Sequence, residues 1–279
     1  MPQRTFRVIA AIAIVTTLAG ADQARAAGAV RIDACQTLSG PNTTYKLTTD
    51  LTSCGDCLVV AADRITIDLQ GNSITNTGCA ASGFAITAEP GSARDLIVVK
   101  NGSVSGYAAG VALERSTRVS VLGITAKDNS SVGIAVGPRG LVKSSEVSGN
   151  STGIHVHDRG QVQQCNAHNN NVGISSVGDN CLITMNTANF NAIGIALPDG
   201  NKCTVSYNTA SNNFSVGIDA GAFFVGGSGH LVTQNVALGN GSFDYAINCP
   251  STVSNNTSTH GFPASYLFNG TTCHLTNNN

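Results

Sequence analysis

His155 and His157 stand two residues apart in the run Gly153-Ile154-His155-Val156-His157-Asp158-Arg159-Gly160. If Ile154 and Val156 point into a core, both imidazoles point outward on one strand face, about 6.8 Å apart. Such a pair can remove a proton beside a carboxylate, or hold a metal ion if a third ligand arrives. Further groups fall beside it when positions are counted from recurring glycines. Six residues after a glycine stand Arg139, Arg159 and Asp179; five after stand Arg115, Asp158 and Asp199; two after stand His155 and Asp219. The roles this pattern suggests are His155 or His157 as base and Arg139 and Arg159 as bidentate carboxylate clamps. Asp158, Asp179, Asp199 and Asp219 suit sugar hydroxyls, and calcium is the candidate cation for Asp158, Asp199 and Asp219. An insertion after Gly217 carries Phe223 and Phe224, which either stack on sugar rings or pin the loop to its scaffold. A plainer reading covers the same residues: charges gather at turns because turns are wet, and no nucleophile–base pair is specified.

The elements that hold these residues follow from a repeat. Gly110-Val111, Gly133-Ile134, Gly153-Ile154, Gly173-Ile174, Gly194-Ile195 and Gly217-Ile218 recur at steps of 23, 20, 20, 21 and 23 residues, each after an asparagine-rich corner. A period of this size means one structural unit stacked on copies of itself. Each unit alternates apolar and polar residues over short runs, the two-residue period of a strand, and none shows a sustained helical period. Leucine is too sparse for leucine-rich repeats, and the Gly-Gly-x-Gly-x-Asp of calcium-binding coils is missing. What remains is an all-β chain wound as a parallel β-helix. Val111, Ile134, Ile154, Ile174, Ile195 and Ile218 would line its interior, and asparagines would stack at its corners. Asn186, Asn208 and Asn235 predict a second asparagine column. The expected organisation is an export signal at 1–26, a cap at 27–60, repeats at 61–240 in about eight or nine turns, and a second cap at 241–279.

The signal rests on Arg4 and Arg7, the apolar run from Val8 to Gly20, and a small-x-small site ending at Ala26. No apolar run is long enough for a membrane-spanning helix. Taking Arg4, Arg7, Arg25 and Asp22 from 15 basic and 16 acidic residues leaves a net charge of about −3, which is no footprint for nucleic acid. Nine cysteines suit an oxidising compartment, and an odd number leaves one unpaired. Cys57 and Cys79, and Cys181 and Cys203, are 22 residues apart; Cys249 and Cys273 are 24 apart. Bridges are expected at the ends, through Cys57, Cys79, Cys249 and Cys273. Cys181 and Cys203 are expected to pack as a thiol ladder, and Cys165 to be the odd one.

The segment Ala61-Ala62-Asp63-Arg64-Ile65-Thr66-Ile67-Asp68-Leu69-Gln70-Gly71-Asn72-Ser73-Ile74 resembles the opening turn of the right-handed parallel β-helix repeat proteins, the group of pectate-lyase-like and NosD-like chains. Val98-Val99-Lys100-Asn101-Gly102-Ser103-Val104 resembles the next turn. The resemblance implies a right-handed coil and exported carbohydrate chemistry as a class. With the signal segment, the expected protein is secreted or periplasmic and monomeric; with the outward arginines, histidines and aspartates, the expected ligand is an acidic polysaccharide, bound and open to lyase or epimerase chemistry. Catalytic motifs do not carry over. The chain has no Trp, so the tryptophan-bearing motif of many pectate lyases is absent, and so are the paired aspartates of polygalacturonases and the Asp-Pro motif of mannuronan epimerases. A non-catalytic carbohydrate-binding or structural module therefore stands beside the enzyme reading, and the NosD likeness adds copper delivery as a third.

Overall fold

A computed structural model describes residues 28–223, 226–259, 265–270 and 272–279. The expected export signal and Phe224 lie outside the described residues. Every regular element among those described is a strand, and every pairing between named strands is parallel. One sheet of 11 strands runs from Gln36–Leu38 to Tyr266–Asn269 and gives the coil 11 turns. At about 4.8 Å per rung the stack is about 50 Å long. The turns exceed the expected eight or nine because segments 27–60 and 241–279 contribute rungs in register with the same ladders, such as Gln36↔Leu58 and Tyr245↔Tyr266.

A 17-stranded sheet and a two-stranded one, Val236–Ala237 with Thr257–Ser258, form the rest of the wall. In mid-coil it is two rows of three-residue strands, for example Gln161–Gln163 and Asn166–His168 within one turn. The earlier strands Val98–Ser105 and Ser120–Lys127 span both rows without a break. Each turn thus has three sides and three inward columns. Val111, Ile134, Ile154, Ile174, Ile195 and Ile218 stack in register on the first side, as their alternation predicts. Val121, Val142, Val162, Ile183, Val205, Val232 and Val253 stack on the second. Ala126, Val147, Ala167 and Ala188 stack on the third. All are fully buried.

The glycine of each Gly-Ile pair has a steric origin. A Cβ on Gly153 would lie 2.5 Å from the carbonyl oxygen of Gly173 and 3.0 Å from Nδ2 of Asn170. The same clash, at 2.5–2.7 Å, recurs at Gly110, Gly133, Gly173 and Gly194. The asparagine beside each glycine is the other half of this corner. Oδ1 of Asn150 accepts from the backbone N–H and from Nδ2 of Asn129, both at 3.0 Å, and Asn150 donates in the same way to Asn170. The ladder continues through Asn191, Asn213 and Asn240. The predicted second column at Asn186, Asn208 and Asn235 also forms, and it extends to Asn256 and Asn278. Dry corners expose backbone N–H groups that need acceptors, and stacked amides supply them.

The cysteines expected in bridges are all bridged, and one expected thiol ladder is a bridge as well. Cys249 does bond Cys273. Cys57, however, bonds Cys35, and Cys79 bonds Cys54. Leu58 pairs with Ile86, 28 residues on, so a longer turn carries Cys79 away from Cys57. Cys181 and Cys203 are bonded and are not a thiol ladder. The relevant distance is between Cα atoms, 4.5 Å here, which lies within the range a disulfide spans. Cys165 is the free cysteine and is buried. Four disulfides suit an oxidising compartment.

Candidate functional site

The corner after each strand of the 11-stranded sheet carries two columns of side chains. Backbone N–H groups fix their register. Arg118 donates to the carbonyl of Pro138 at 3.1 Å, Arg139 to that of Asp158 at 2.8 Å, and Arg159 to that of Asp179 at 2.8 Å. Arg118, Arg139 and Arg159 therefore stand on three consecutive rungs. Thr117, Pro138, Asp158 and Asp179 form the column beside them. Together with Asn180 these residues line a cleft of about 530 Å³.

Arg118 is already paired: its Nε donates to Oδ1 of Asp95 at 2.7 Å, and this guanidinium holds the Asp95 carboxyl down at about 2. Arg139 and Arg159 form no ion pair with any described residue. Both have left-handed backbone, φ 59° and 56°, where glycine and asparagine are cheaper. Further along the coil the same corner carries Asn180, Lys202 and Gly229. Asp158 is tied into the corner, its Oδ1 accepting from the N–H of Asp179 at 2.9 Å. Asp179 accepts from the N–H and Nδ2 of Asn201, and these bonds hold its carboxyl below the usual range.

Counting from the glycines misplaced Asp179. The unit from Gly173 is one residue longer than the one before, so Asp179 stacks on Asp158, and Asn180 takes the place below Arg159. The chain makes room at Gly178, where a Cβ would lie 2.0 Å from the backbone nitrogen of Asp158.

His155 and His157 lie around the corner, in a separate hollow of about 460 Å³ on the outer face of the 11-stranded sheet. Its floor is Ala109, Ala112 and Ala135, and Glu114 shares its rim. The two rings meet edge to face with centroids 4.9 Å apart. Burial, and then His157, push the His155 imidazole below its usual pKa, while Glu114 pulls the other way. Neutral His155 has the protonation state of a base, but no carboxylate among the described residues hydrogen-bonds to either ring.

Other predicted residues fall elsewhere. Asp219 shares the outward column of His155, through Ser175 and Ala196, but lies three rungs on and is fully buried under its own loop. Its Oδ1 accepts from the N–H groups of Ala222 and Phe223. It is a loop anchor and not an open sugar ligand. Phe223 is exposed and faces Phe243 at 6.2 Å. Asp199 is exposed and outside the cleft. The three aspartates read as calcium ligands do not converge, and among the described residues no group of three or more His, Cys, Asp or Glu side chains could hold a metal ion. Arg118 and Glu114 were missed. The 21- and 20-residue steps from Arg118 to Arg139 to Arg159 were the available signal for the first.

Among curated proteins, none matches this chain in sequence. Similar solved structures share its fold at low identity. The A-module of the mannuronan C-5 epimerase AlgE6 of Azotobacter vinelandii superposes with a TM-score of 0.56 at 15% identity, covering 85% of this chain and 80% of that one. ORF18 of Geobacillus virus E2 gives 0.64 at 10% identity, covering 88% and 54%. The tailspike of Escherichia coli bacteriophage HK620, solved with a pentasaccharide, gives 0.56 at 15% identity, covering 90% and 59%. The family model described as right handed beta helix region matches residues 48–185 and 140–279. With that match extending over most of the sequence, and a parallel coil of stacked aliphatic columns beneath it, the chain belongs to the right-handed β-helix family.

Proposed function

We propose that the protein is a secreted or periplasmic binder of an acidic polysaccharide, held at the corner cleft. Arg139 and Arg159 carry the reading. They stand one rung apart, about 4.8 Å between backbones, with no carboxylate partner among the described residues. A polymer with a carboxylate on successive sugar rings offers each guanidinium a bidentate partner. Asp158 and Asp179, beside them, accept from sugar hydroxyls. The superposed mannuronan epimerase and pentasaccharide-bound tailspike support carbohydrate as the ligand class. The test is affinity electrophoresis and calorimetry with alginate and pectate. The double variant Arg139→Ala/Arg159→Ala should bind at least tenfold more weakly, with a shallower salt dependence. Equal binding by the variant and the parent protein refutes the reading.

A catalytic version adds His155 as the base that takes the proton beside a sugar carboxylate, with His157 as its neighbour. A lyase then leaves an ultraviolet-absorbing double bond, and an epimerase exchanges that proton with solvent deuterium. The undirected histidine rings favour binding without turnover, because a base normally has a partner that orients it. Neither absorbance nor exchange with alginate, pectate or glycosaminoglycans would remove the catalytic version and leave the binding one.

A further inference from the structure

Two corners of the wall away from the arginine cleft carry side chains that suit neither folding nor solubility. At one, the backbone runs through Ser144, Gln164, Met185, Tyr207, Gln234, Asn255 and Asn277 on successive rungs, all with positive φ. At the other, it runs through Asp128, Gly149, Asn169, Phe190, Asn212 and Gly239, again all with positive φ. Five of these last six are aspartate, asparagine or glycine, the residues that tolerate the left-handed region. Phe190 is the exception. Met185 and Tyr207 are the bulky exceptions in the first column. All three project into solvent, at 52, 57 and 61% exposure for Met185, Tyr207 and Phe190, and Phe214 on the rung after Phe190 is 86% exposed. A bulky apolar side chain that is strained in backbone and wet in side chain is costly twice, and such positions point to a surface kept for a partner.

These four residues occupy two consecutive rungs and frame one strip of wall. Between Met185 and Phe190 lies the strand Thr187–Asn189, and Thr209 pairs with Thr187 on the next rung. The hydroxyls of Thr187, Thr209 and Tyr207 bond to no described residue. Asn189 uses its Oδ1 on the N–H of Ser211, at 2.7 Å, and keeps its amide donors. None of the three aromatic rings packs on another ring of a described residue. The strip is therefore apolar at both ends and donor-rich in the middle. The strand between the two corners, three residues at about 3.3 Å each, is about 10 Å long. The strip is also uncharged: no Asp, Glu, Lys or Arg occurs from Asn180 to Pro198 or from Cys203 to Ile218. An anionic polymer or an anionic membrane finds no counter-charge there. A protein partner would want continuous apolar area, and this surface interrupts it with hydroxyls and amides.

We propose that this strip is a second carbohydrate site, separate from the arginine cleft, which takes an uncharged glycan by stacking on Tyr207, Phe190 and Phe214 and hydrogen-bonding through Thr187, Thr209 and Asn189. Ring faces present C–H groups to aromatic side chains while their hydroxyls reach the amides, a division that suits amphipathic ligands.

The experiment uses native gels cast with barley β-glucan, galactomannan or dextran, alongside a gel cast with alginate. The triple variant Phe190→Asn/Tyr207→Asn/Phe214→Ser introduces at its corners the residue type already present there on other rungs, so it should fold with an undiminished melting temperature. The parent protein should be retarded in at least one neutral gel, and the triple variant should lose at least tenfold in affinity there. The triple variant should still be retarded in alginate, and Arg139→Ala/Arg159→Ala should still be retarded in the neutral gel. These crossed outcomes separate failure of this site from failure of the acidic one. The proposal is overturned if the parent runs freely in every neutral gel, or if the triple variant is retarded as strongly. It is also overturned if sedimentation shows parent dimers that the triple variant abolishes, because the strip is then an interface between copies.

Discussion

Asn170→Ala removes the middle of the first asparagine ladder, and the structure sets the size of the effect. Oδ1 of Asn170 accepts two hydrogen bonds from Asn150, both at 3.0 Å. Its Nδ2 donates to the carbonyls of Val147 and His168 and to Oδ1 of Asn191, at 3.0–3.1 Å. Alanine deletes all of these and leaves the Asn150 backbone N–H without an acceptor at a buried corner. One orphaned buried donor costs about 1–3 kcal/mol and the other lost bonds about 1 kcal/mol each, with partial relaxation, so the total is about 3–5 kcal/mol. For a chain of this size that lowers the melting midpoint by roughly 6–20 °C. Asn170→Asp separates the two halves of the ladder, since it keeps the acceptor and loses every donor. A carboxylate there faces carbonyl oxygens, so its pKa in the fold rises above the unfolded value. Its protonated form can donate once, and stability of this variant should improve as pH falls from about 7 to 5 relative to the native chain. Thermal melts followed by circular dichroism, at several pH values, read both effects. A midpoint for Asn170→Ala within about 2 °C of the native chain refutes the ladder as a source of stability.

Other outcomes follow from buried groups. Thiol titration should find one cysteine per chain after denaturation in the absence of reductant and almost none before it, because Cys165 is buried and its thiol is pushed up to about 11; two or more thiols would contradict the four bridges. Removing the Cys181–Cys203 bridge with Cys181→Ala/Cys203→Ala should cost about 2–4 kcal/mol in denaturant melts, and an unchanged midpoint would argue against it. Burial raises Asp219 from 3.8 to about 6, so the folded state holds its proton more tightly and stability from this group falls as pH rises from about 4 to 6. Asp219→Asn should therefore melt higher relative to the native chain at pH 7.5 than at pH 4.5, by about 2 kcal/mol in the difference; a pH-independent difference would rule out that titration. Ile174→Asp puts a charge into the fully buried first column and should abolish cooperative melting.

The inward columns and asparagine corners were legible in the sequence because both repeat with the period of the coil and tolerate little else. A glycine whose Cβ would strike the next rung, as at Gly153, cannot drift, and neither can the amide that fills the space beside it. The corner residues were harder to read. Counting forward from a glycine works along a strand, whose rise is fixed, and fails once a turn gains a residue, as it does before Asp179. His155 and Asp219 share a column, yet only a folded loop shows that one is open and the other enclosed. The Cys181–Cys203 bridge was misread as a thiol ladder for a metric reason: rung spacing was compared with a Cβ separation, whereas stacked Cα atoms already lie within bridging range. The uncharged strip at Met185, Phe190, Tyr207 and Phe214 left a sequence signal in its absence of charge, but its meaning depends on backbone handedness, which composition does not reveal.

The extra residue accommodated at Gly178 has a wider implication. It changes the phase of the outer decoration by one position while Ile174 and Ile195 stay in register inside. The scaffold thus behaves like a frame with an independent dial at every bend. One added residue placed the neutral Asn180 below Arg159, where the count from Gly173 would have put the charged Asp179. In a coil of this kind, the length of a charged track can be reset by a single insertion or deletion at a bend, with no cost to the dry interior. Such events would let related chains exchange one polymer specificity for another far faster than their cores diverge.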